Sequence, residues 1–351
     1  MDRKTVDVYE ANVEDWIAHR RRPRPKTLDA FVARVPPGVR ADLGCGPGWH
    51  SGELGAPVVA FDAAVAMVEQ VRTFAPDALP LVADLEHLPF RANALSGAWA
   101  QKCYMHIADT ALPMALAELH RAMQVGGALH VQVTSDRNHE NADERFPGRH
   151  FTWWPATRLR DVIEGAGFEI DDFVDDGEEW LDVEATRARM LPDTVGSEMR
   201  ALIVGLNPSI YSADANAGFA RPGNRFWPAA LASGLVTRTH DPFHALRVDG
   251  VGMTNLVRRA TTGADELSRD EYVAGAERLA RLVAWLQPRV VCFVGLTGYR
   301  VAVDKRAQLG WRDEEFAGAR TYVMPNTSGL NAHAKPADFA DHLRAVVAAS
   351  E

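Results

Sequence analysis

The stretch ALIVGLNPS, residues 201–209, decides the fold of the second half of the chain. It begins as a short apolar run and closes with glycine, asparagine and proline, which is typical of a buried strand that breaks into a loop. A second stretch of the same kind, TYVMPNTSGLN, spans residues 321–331. Loops at the ends of sheet strands are where α/β proteins place their chemistry. Two such strand ends, rich in amide side chains and bare backbone, predict a polar pocket for a planar ligand.

A third stretch makes the pattern more specific. Phe219 follows Asn207 by twelve positions and opens the block FARPGNRFW, residues 219–227. In this order the three stretches resemble the mismatch-specific uracil/thymine DNA glycosylases, the Mug/TDG branch of the uracil-DNA glycosylase superfamily. That branch has a G-[IL]-N-P motif, a similar central block and a late P-N-x-S-G-L loop. The resemblance covers residues 200–351 and implies an α/β/α fold without a cofactor. It also implies excision of uracil, with thymine and etheno-cytosine as further bases, from mispairs with guanine such as G·U and G·T in double-stranded DNA.

The same resemblance implies a role for each residue of the pocket. Asn207 would hold the water that attacks the glycosidic bond, and Phe219 would stack on the flipped base. Leu206 would contribute backbone to the pocket floor, and Asn326 would donate to a carbonyl of the departing base. A wedge that fills the vacated space and reads the orphaned guanine is implied at Gly329, Leu330 and Asn331.

The chemistry of base excision is compatible with an amide at Asn207. A base inside a duplex has to be flipped out, at a cost of about a few kcal/mol. A carboxamide can orient water but cannot act as a base at neutral pH. We therefore expect slow hydrolysis that depends on positioning and on stabilisation of the departing anion. Two alternatives stay open: that Asn207 only holds an Asn-Pro turn, and that this half binds damaged DNA without cleaving it.

The first half carries its own signature. The segment VRADLGCGPG, residues 39–48, reads as a strand that ends in a glycine-rich turn. Its glycine spacing is not the G-x-G-x-x-G of dinucleotide-binding folds. It resembles motif I of the class I S-adenosylmethionine-dependent methyltransferases, over residues 38–135, and implies a Rossmann-like fold with S-adenosyl-L-methionine as cofactor. The residues that the resemblance places around the cofactor are Asp42, Gly44, Gly46, Gly48, Asp62 and Asp84. The short connection from Gly48 to Asp62 predicts that the first helix loses a turn.

The methyl acceptor stays open at this stage. Residues 101–106 hold neither the N-P-P-Y or D-P-P-Y motif of DNA amino-methyltransferases nor a Pro-Cys nucleophile. Cys103, Tyr104 and His106 are either substrate-site residues or packing residues. The aromatic segment 151–155 either floors a substrate pocket or starts a helix. The alternative to a transferase is a module that binds S-adenosylmethionine as a sensor or tether without transferring a methyl group.

Charge and cysteine content exclude several classes of site. The net charge of −9 divides into −11 on residues 1–196 and +2 on residues 197–351. A half with so little positive charge predicts few, local phosphate contacts. The three cysteines are isolated, which argues against a disulfide framework, a zinc site or an iron–sulfur cluster, so we expect no metal.

The organisation of the chain follows from these signatures. We predict two α/β domains, each a mostly parallel sheet flanked by helices. Residues 1–190 are predicted to form the methyltransferase-like domain with a helical lead-in, and residues 197–351 the glycosylase-like domain. The sequence shows neither an apolar stretch of membrane-span length nor the core of a signal peptide. We therefore expect a cytoplasmic protein without membrane contact, and favour a monomer.

Overall fold

A computed structural model of the protein describes residues 1–20, 24–137, 145–329 and 335–351. The chain forms two compact units. The first comprises residues 1–164 and 168–188, and the second residues 165–167 and 189–351. Each unit contains one sheet, and in each sheet most strands run parallel, which confirms the predicted fold class.

The first unit is built on a seven-stranded sheet. Its strands, in chain order, are β1 (Val39–Leu43), β2 (Val58–Asp62), β3 (Leu79–Val82), β4 (Leu95–Gln101), β5 (Met123–Thr134), β6 (Phe168–Asp175) and β7 (Trp180–Arg187). Their order across the sheet is β3-β2-β1-β4-β5-β7-β6, in which the first five are parallel and β7 and β6 close the edge as an antiparallel hairpin. The carboxyl ends of β1, β2 and β4 therefore meet at one edge, where a parallel sheet places its ligands.

Three helices of the first unit come before its first strand in the chain, and three more lie between later strands. They are α1 (Arg3–Ala11), α2 (Val13–His19), α3 (Leu28–Arg34), α4 (Val65–Phe74), α5 (Leu112–Ala122) and α6 (Ala156–Gly165). The shortened first helix is more extreme than predicted. Between β1 and β2 the chain forms one 3-10 turn, Ser51–Glu53, because the connection is too short for a full crossover helix.

The second unit is built on a five-stranded sheet. Its strands are β8 (Ala201–Gly205), β9 (Val251–Asn255), β10 (Val290–Val294), β11 (Gly310–Trp311) and β12 (Arg320–Met324). Their order is β11-β12-β10-β8-β9, with β11 antiparallel to its neighbour and the other pairs parallel. Helices flank the sheet: α7 (Ile210–Asp214), α8 (Phe226–Ala232), α9 (Pro242–Arg247), α10 (Arg269–Leu286), α11 (Leu296–Ala302) and α12 (Pro336–Ser350).

Strand β8 shows why this sequence forms a central parallel strand. All five of its residues are buried. Ala201 and Ile203 pack into one hydrophobic cluster, and Leu202 and Val204 pack into another on the opposite face. A strand covered on both faces requires an unbroken apolar run rather than an alternating one.

No helix within the described part of the chain is long and apolar enough to cross a membrane.

Candidate active sites

The strand within the first of the three glycosylase-like stretches ends at a crowded glycine. Gly205 closes β8, and a Cβ atom placed on it would lie 2.5 Å from Asn255 Oδ1 and 3.3 Å from Phe219 Cζ. A glycine is required here because real Cβ atoms do not approach other heavy atoms so closely. The strand end therefore lies against an amide from β9 on one side and the Phe219 ring on the other.

The segment after β9 runs beside the first stretch and extends the sheet pairing into the loops. Leu256 N donates to Gly205 O over 2.9 Å, and Val257 N donates to Leu206 O over 2.8 Å. Farther on, Thr261 N donates to Pro208 O over 3.1 Å. This pairing holds the loop that carries Asn207 in register with its neighbour.

The amide of Asn207 has a defined orientation. Its Nδ2 donates to Thr261 Oγ1 over 2.7 Å and to Arg259 O over 3.2 Å. The Thr261 hydroxyl already donates its proton to Gly263 O, 2.8 Å away, and a backbone carbonyl can only accept. The side-chain nitrogen of Asn207, rather than its oxygen, must therefore face Thr261 and Arg259. Among the described residues nothing donates to Asn207 Oδ1, which can thus accept a hydrogen bond from water.

The Phe219 ring is fixed from behind. It stacks on Phe226, with ring centroids 4.2 Å apart and planes 23° apart, and Phe226 is completely buried at the start of α8. Phe219 itself is half-buried and has a left-handed φ of 57°. Such a conformation costs a non-glycine residue about 1–2 kcal/mol. The backbone strain is offset by a stack that holds the ring at the end of β8.

The central block also contacts the late loop. Arg225 N donates to Thr327 O over 3.0 Å, and the Thr327 hydroxyl donates to Asn224 Oδ1 over 3.0 Å. A Cβ atom on Gly329 would lie 3.0 Å from Gly223 O. The three stretches that sequence reasoning grouped together are thus in contact through block 219–227.

Asn326 lies at the carboxyl end of β12, next to β10. Its Cβ is 3.8 Å from the position that a Cβ on Gly295, at the end of β10, would occupy. Ser328 N donates to Asn326 Oδ1 over 2.9 Å, which orients the amide within an Asx turn. Leu206, by contrast, directs its side chain toward α11, where its Cδ1 would be 2.6 Å from a Cβ on Gly298. The predicted wedge residues Leu330 and Asn331 lie outside the described residues.

Sequence reasoning missed two residues of this site, Asn255 and Thr261. Asn255 is buried, and its side chain has no hydrogen-bond partner among the described residues. Its carbonyl accepts from Arg278 Nη2 over 3.0 Å, and Arg278 Nη1 lies 2.6 Å from Asp193 Oδ2 in a buried ion pair. The sequence signal was weak: in VGMTN, residues 251–255, only Val251 and Met253 are large and apolar before the terminal asparagine.

The first unit contains a cavity of about 670 Å³ at the carboxyl ends of β1, β2 and β4. Of the predicted cofactor residues, Asp42, Gly44, Gly46 and Asp62 line it. Gly46 has a φ of 53°, and no atom lies near the position that a Cβ would occupy. A side chain at this position would therefore occupy space in the cavity that is available to a ligand. A Cβ on Gly44 would lie 2.4 Å from Cys103 Cβ, which brings the glycine-rich turn against the end of β4.

Two buried carboxylates set the electrostatics of the cavity. Burial raises the pKa of Asp42 to about 7, against the opposing hydrogen bond from Ser51 Oγ at 2.6 Å. Burial also raises the pKa of Asp62, against hydrogen bonds from the backbone N–H groups of Ala64 and Gly46. A bound cation would relieve this cost. The donor set therefore fits S-adenosylmethionine, which carries a sulfonium and an ammonium group.

The structure does not bring the other two predicted cofactor residues to the cavity wall. Gly48 packs against α4, where its Cβ would lie 3.1 Å from Val71 Cγ2, so it supports the turn. The Asp84 carboxylate accepts from Glu86 N over 2.9 Å and lies 3.2 Å from the amine of Met1. Leu85 lines the cavity in its place.

Segments 101–106 and 151–155 each place some residues on the cavity wall and others in the core, so both predicted roles apply in part. Cys103 and His106 line the cavity although both are buried, whereas Tyr104 is a core residue. In segment 151–155, Phe151 and Trp153 line the cavity, and Trp154 is fully buried just before α6.

Two different family models match this chain, one in each of its two compact units. Residues 192–348 match the family model described as the uracil DNA glycosylase superfamily, and residues 41–131 match the model described as a methyltransferase domain. The chain carries a methyltransferase domain and a uracil DNA glycosylase superfamily domain. The methyltransferase domain implies S-adenosylmethionine as cofactor, and the glycosylase domain implies DNA as substrate.

Solved structures resemble about half of the chain. One is a chain of the complex between the Haloferax volcanii Trm112 methyltransferase activator and a methyltransferase, with 19% identity, 54% of this chain and 98% of that chain covered, and a TM-score of 0.43. Another is a TehB-like SAM-dependent methyltransferase from Corynebacterium glutamicum, with 18% identity, 52% and 97% coverage, and a TM-score of 0.40.

Proposed function

We propose that residues 197–351 act as a DNA glycosylase of the mismatch-specific Mug/TDG branch, which hydrolyses the N-glycosidic bond of uracil in G mispairs. The orientation of the Asn207 amide carries the proposal. With Nδ2 held by Thr261 and Arg259, Oδ1 is the atom left to hold a water. A water that donates one proton to Oδ1 keeps a lone pair for attack on the sugar carbon.

The neighbouring groups support this assignment. Phe219, backed by Phe226, offers a fixed ring on which a flipped base can stack, a contact worth about 1–3 kcal/mol per base. Asn326 and Asn255 are amides at the carboxyl ends of β12 and β9, on either side of β10 and β8, and each can hydrogen-bond to a base as negative charge develops on it. In this proposal Leu206 supplies backbone to the floor, and the loop Gly329, Leu330 and Asn331 supplies the wedge and reads the orphaned guanine.

The test is a strand-cleavage assay on matched duplexes. Purified protein is incubated with duplexes that hold one G·U, G·T, G·etheno-cytosine or A·U pair, and abasic sites are cleaved with alkali. We expect cleavage at G·U, weaker cleavage at the two other G pairs and least at A·U. Binding to the G·U duplex without any abasic product would instead favour a module that only recognises damaged DNA.

We further propose that residues 1–190 transfer methyl groups from S-adenosylmethionine, with Asp42, Gly44, Gly46 and Asp62 at the cofactor and Gly48 behind the turn. When bound, the cofactor supplies an electrophilic methyl group. The cavity favours transfer over a sensor or tether because its walls extend beyond the cofactor residues to Phe151 and Trp153. Calorimetric titration with S-adenosylmethionine tests binding, and labelled-methyl transfer tests chemistry; binding without transfer to any acceptor supports the sensor.

A further inference from the structure

One wall of the cavity in the methyltransferase domain is a continuous row of rings. Trp16 meets Tyr9 with centroids 5.1 Å apart, and Tyr9 meets His106 at 5.5 Å. His106 meets Phe151 at 4.9 Å, and Phe151 lies 6.0 Å from Trp153. All five rings line the cavity, and we refer to them as the aromatic wall. Rings of this kind bind a flat apolar ligand by stacking and edge contacts.

Lys102 brings a cation to the same cavity in a strained conformation. It follows β4 with a left-handed φ of 60°, and its backbone N donates to Gln132 O over 2.9 Å. Its Nζ lies 3.6 Å from the centroid of the Trp180 ring. Strain at a non-glycine residue beside a cavity points to a functional constraint.

The charge of Lys102 is poorly compensated. Within the described part of the chain its ammonium makes no hydrogen bond or ion pair, and the Trp180 face is a weak partner. Burial lowers its pKa, against the attraction of Glu179, which also lines the cavity. Asp182 and Asp176 also attract the ammonium, but within the described part of the chain no carboxylate forms an ion pair with it, so an anion in the cavity could contact it directly.

Lys102 lies next to the cofactor turn. Its chain neighbour Cys103 has its Cβ 2.4 Å from the position of a Cβ on Gly44. Lys102 and the glycine-rich turn therefore line the same cavity, with the base of the lysine beside the turn and its ammonium over Trp180.

The histidine of the aromatic wall is not a base for the acceptor. His106 Nδ1 lies 2.7 Å from His150 O, which can only accept, so Nδ1 carries the proton. Nε2 then accepts from the Tyr9 hydroxyl at 2.9 Å. Burial lowers the pKa of His106 to about 4, which leaves it neutral and without affinity for a further proton at pH 7. An acceptor atom that is already ionised needs no such base.

We propose that this cavity takes a small planar aromatic acid as methyl acceptor, with its ring on the aromatic wall and its carboxylate at Lys102. The inference rests on the proposed transferase function. A carboxylate oxygen uses a lone pair to form a bond to the methyl carbon as the bond from that carbon to sulfur breaks. The bonding pair passes to sulfur, the sulfonium becomes a neutral thioether, and the product is a methyl ester; no proton is moved.

The test compares acids with their neutral amides on the full-length protein. Benzoate, 2-naphthoate and the matching carboxamides are titrated by tryptophan fluorescence, with and without S-adenosylhomocysteine. At least one acid is expected to bind ten-fold or more tightly than its amide. Lys102→Met should remove that preference while leaving amide binding unchanged, and Lys102→Arg should retain most of it. Lys4→Met, an exposed lysine of α1 outside the cavity, is the matched control and should behave as the parent protein.

Transfer is measured in parallel with labelled S-adenosylmethionine, because a methyl ester releases volatile labelled methanol in alkali. Cofactor binding measured alone separates the two proposals. If the cofactor binds but acids bind no better than amides, the acceptor class is wrong and the transferase assignment stands. If the cofactor does not bind, the transferase assignment fails, and the acid preference still decides what the cavity holds. Transfer to an oligonucleotide, with none to either acid, overturns the inference.

Discussion

At the scale of single residues, the glycosylase domain depends on how one amide is held. Asn207 has rotational freedom of its own, and Thr261, 54 positions away, removes it through a hydrogen bond of 2.7 Å to Nδ2. Thr261 in turn is fixed by its own bond to Gly263 O. The orientation of the Asn207 amide thus depends on Thr261 and, through it, on Gly263.

Asn207→Ala should lower cleavage of a G·U duplex by about 10²-fold or more, the usual loss when a preorganised polar group is removed from an active site. Binding of the same duplex should persist, because Phe219 and its backing ring are untouched. Single-turnover cleavage and fluorescence anisotropy measure the two quantities. Equal losses of cleavage and binding would contradict the role of Asn207.

Thr261→Val should also slow cleavage, though less than Asn207→Ala, since the amide remains but can rotate. Dissociation constants for DNA should not change. Thr262→Val is the matched control because Thr262 is the adjacent, exposed threonine. A Thr261 variant with parental single-turnover rates would show that the amide is oriented by other contacts.

In the methyltransferase domain, the raised pKa of the Asp42 carboxyl predicts that the affinity for S-adenosylmethionine depends on pH. Its pKa of about 7 means that a cationic cofactor would bind the ionised form and release a proton on binding. Affinity for S-adenosylmethionine should therefore rise with pH between about 6 and 8, by up to ten-fold per unit below the pKa. Calorimetry at several pH values measures this affinity, and Asp42→Asn should bind the cofactor weakly at every pH.

The raised pKa of Asp42 in the folded state also means that its contribution to the free energy of unfolding falls as pH rises from about 4 to about 7.

At the scale of secondary-structure elements, a buried ion pair fixes the end of β9. Arg278 of α10 contacts Asp193 and the carbonyl of Asn255, and all three residues are buried. Removal of one partner leaves an uncompensated buried charge, which costs about 3–5 kcal/mol. Arg278→Met should lower the free energy of unfolding of the glycosylase domain by about this amount in urea titrations. Arg269→Met, on an exposed position of the same helix, should change it by less than about 0.5 kcal/mol.

Elements with unbroken apolar runs were predictable from the sequence. Strand β8, for instance, has five consecutive buried residues and ends in glycine, and it was placed correctly. Strand β9 was missed because its run is broken by Gly252 and Thr254, which are buried by packing partners distant in sequence. The roles of Asn255 and Thr261 depend on that strand, so they could not be inferred without it. Asp84 illustrates the reverse case, since a strand-end acid can be matched by motif while its side chain pairs elsewhere.

At the scale of the whole molecule, charge is divided unevenly along the chain. The first 196 residues carry −11 and the rest +2. Each phosphate that a protein neutralises adds about −0.9 to the slope of log K against log salt concentration. With so little positive charge, the slope for G·U duplex binding should be no steeper than about −4. Anisotropy titrations between 50 and 200 mM salt measure it, and a slope near −8 would mean about nine phosphate contacts, which contradicts the few, local contacts predicted.

The fixed stack of Phe219 on Phe226 has a consequence for how this enzyme could diversify. The ring that would accept the base is anchored in the hydrophobic core, whereas the amide proposed to hold the water is anchored by the loop after β9. Since these two supports share no residue, selection can alter which bases are tolerated by changing the pocket's polar rim, without disturbing the nucleophile. A library restricted to positions around Asn326 would thus explore substrate range while sparing the catalytic step.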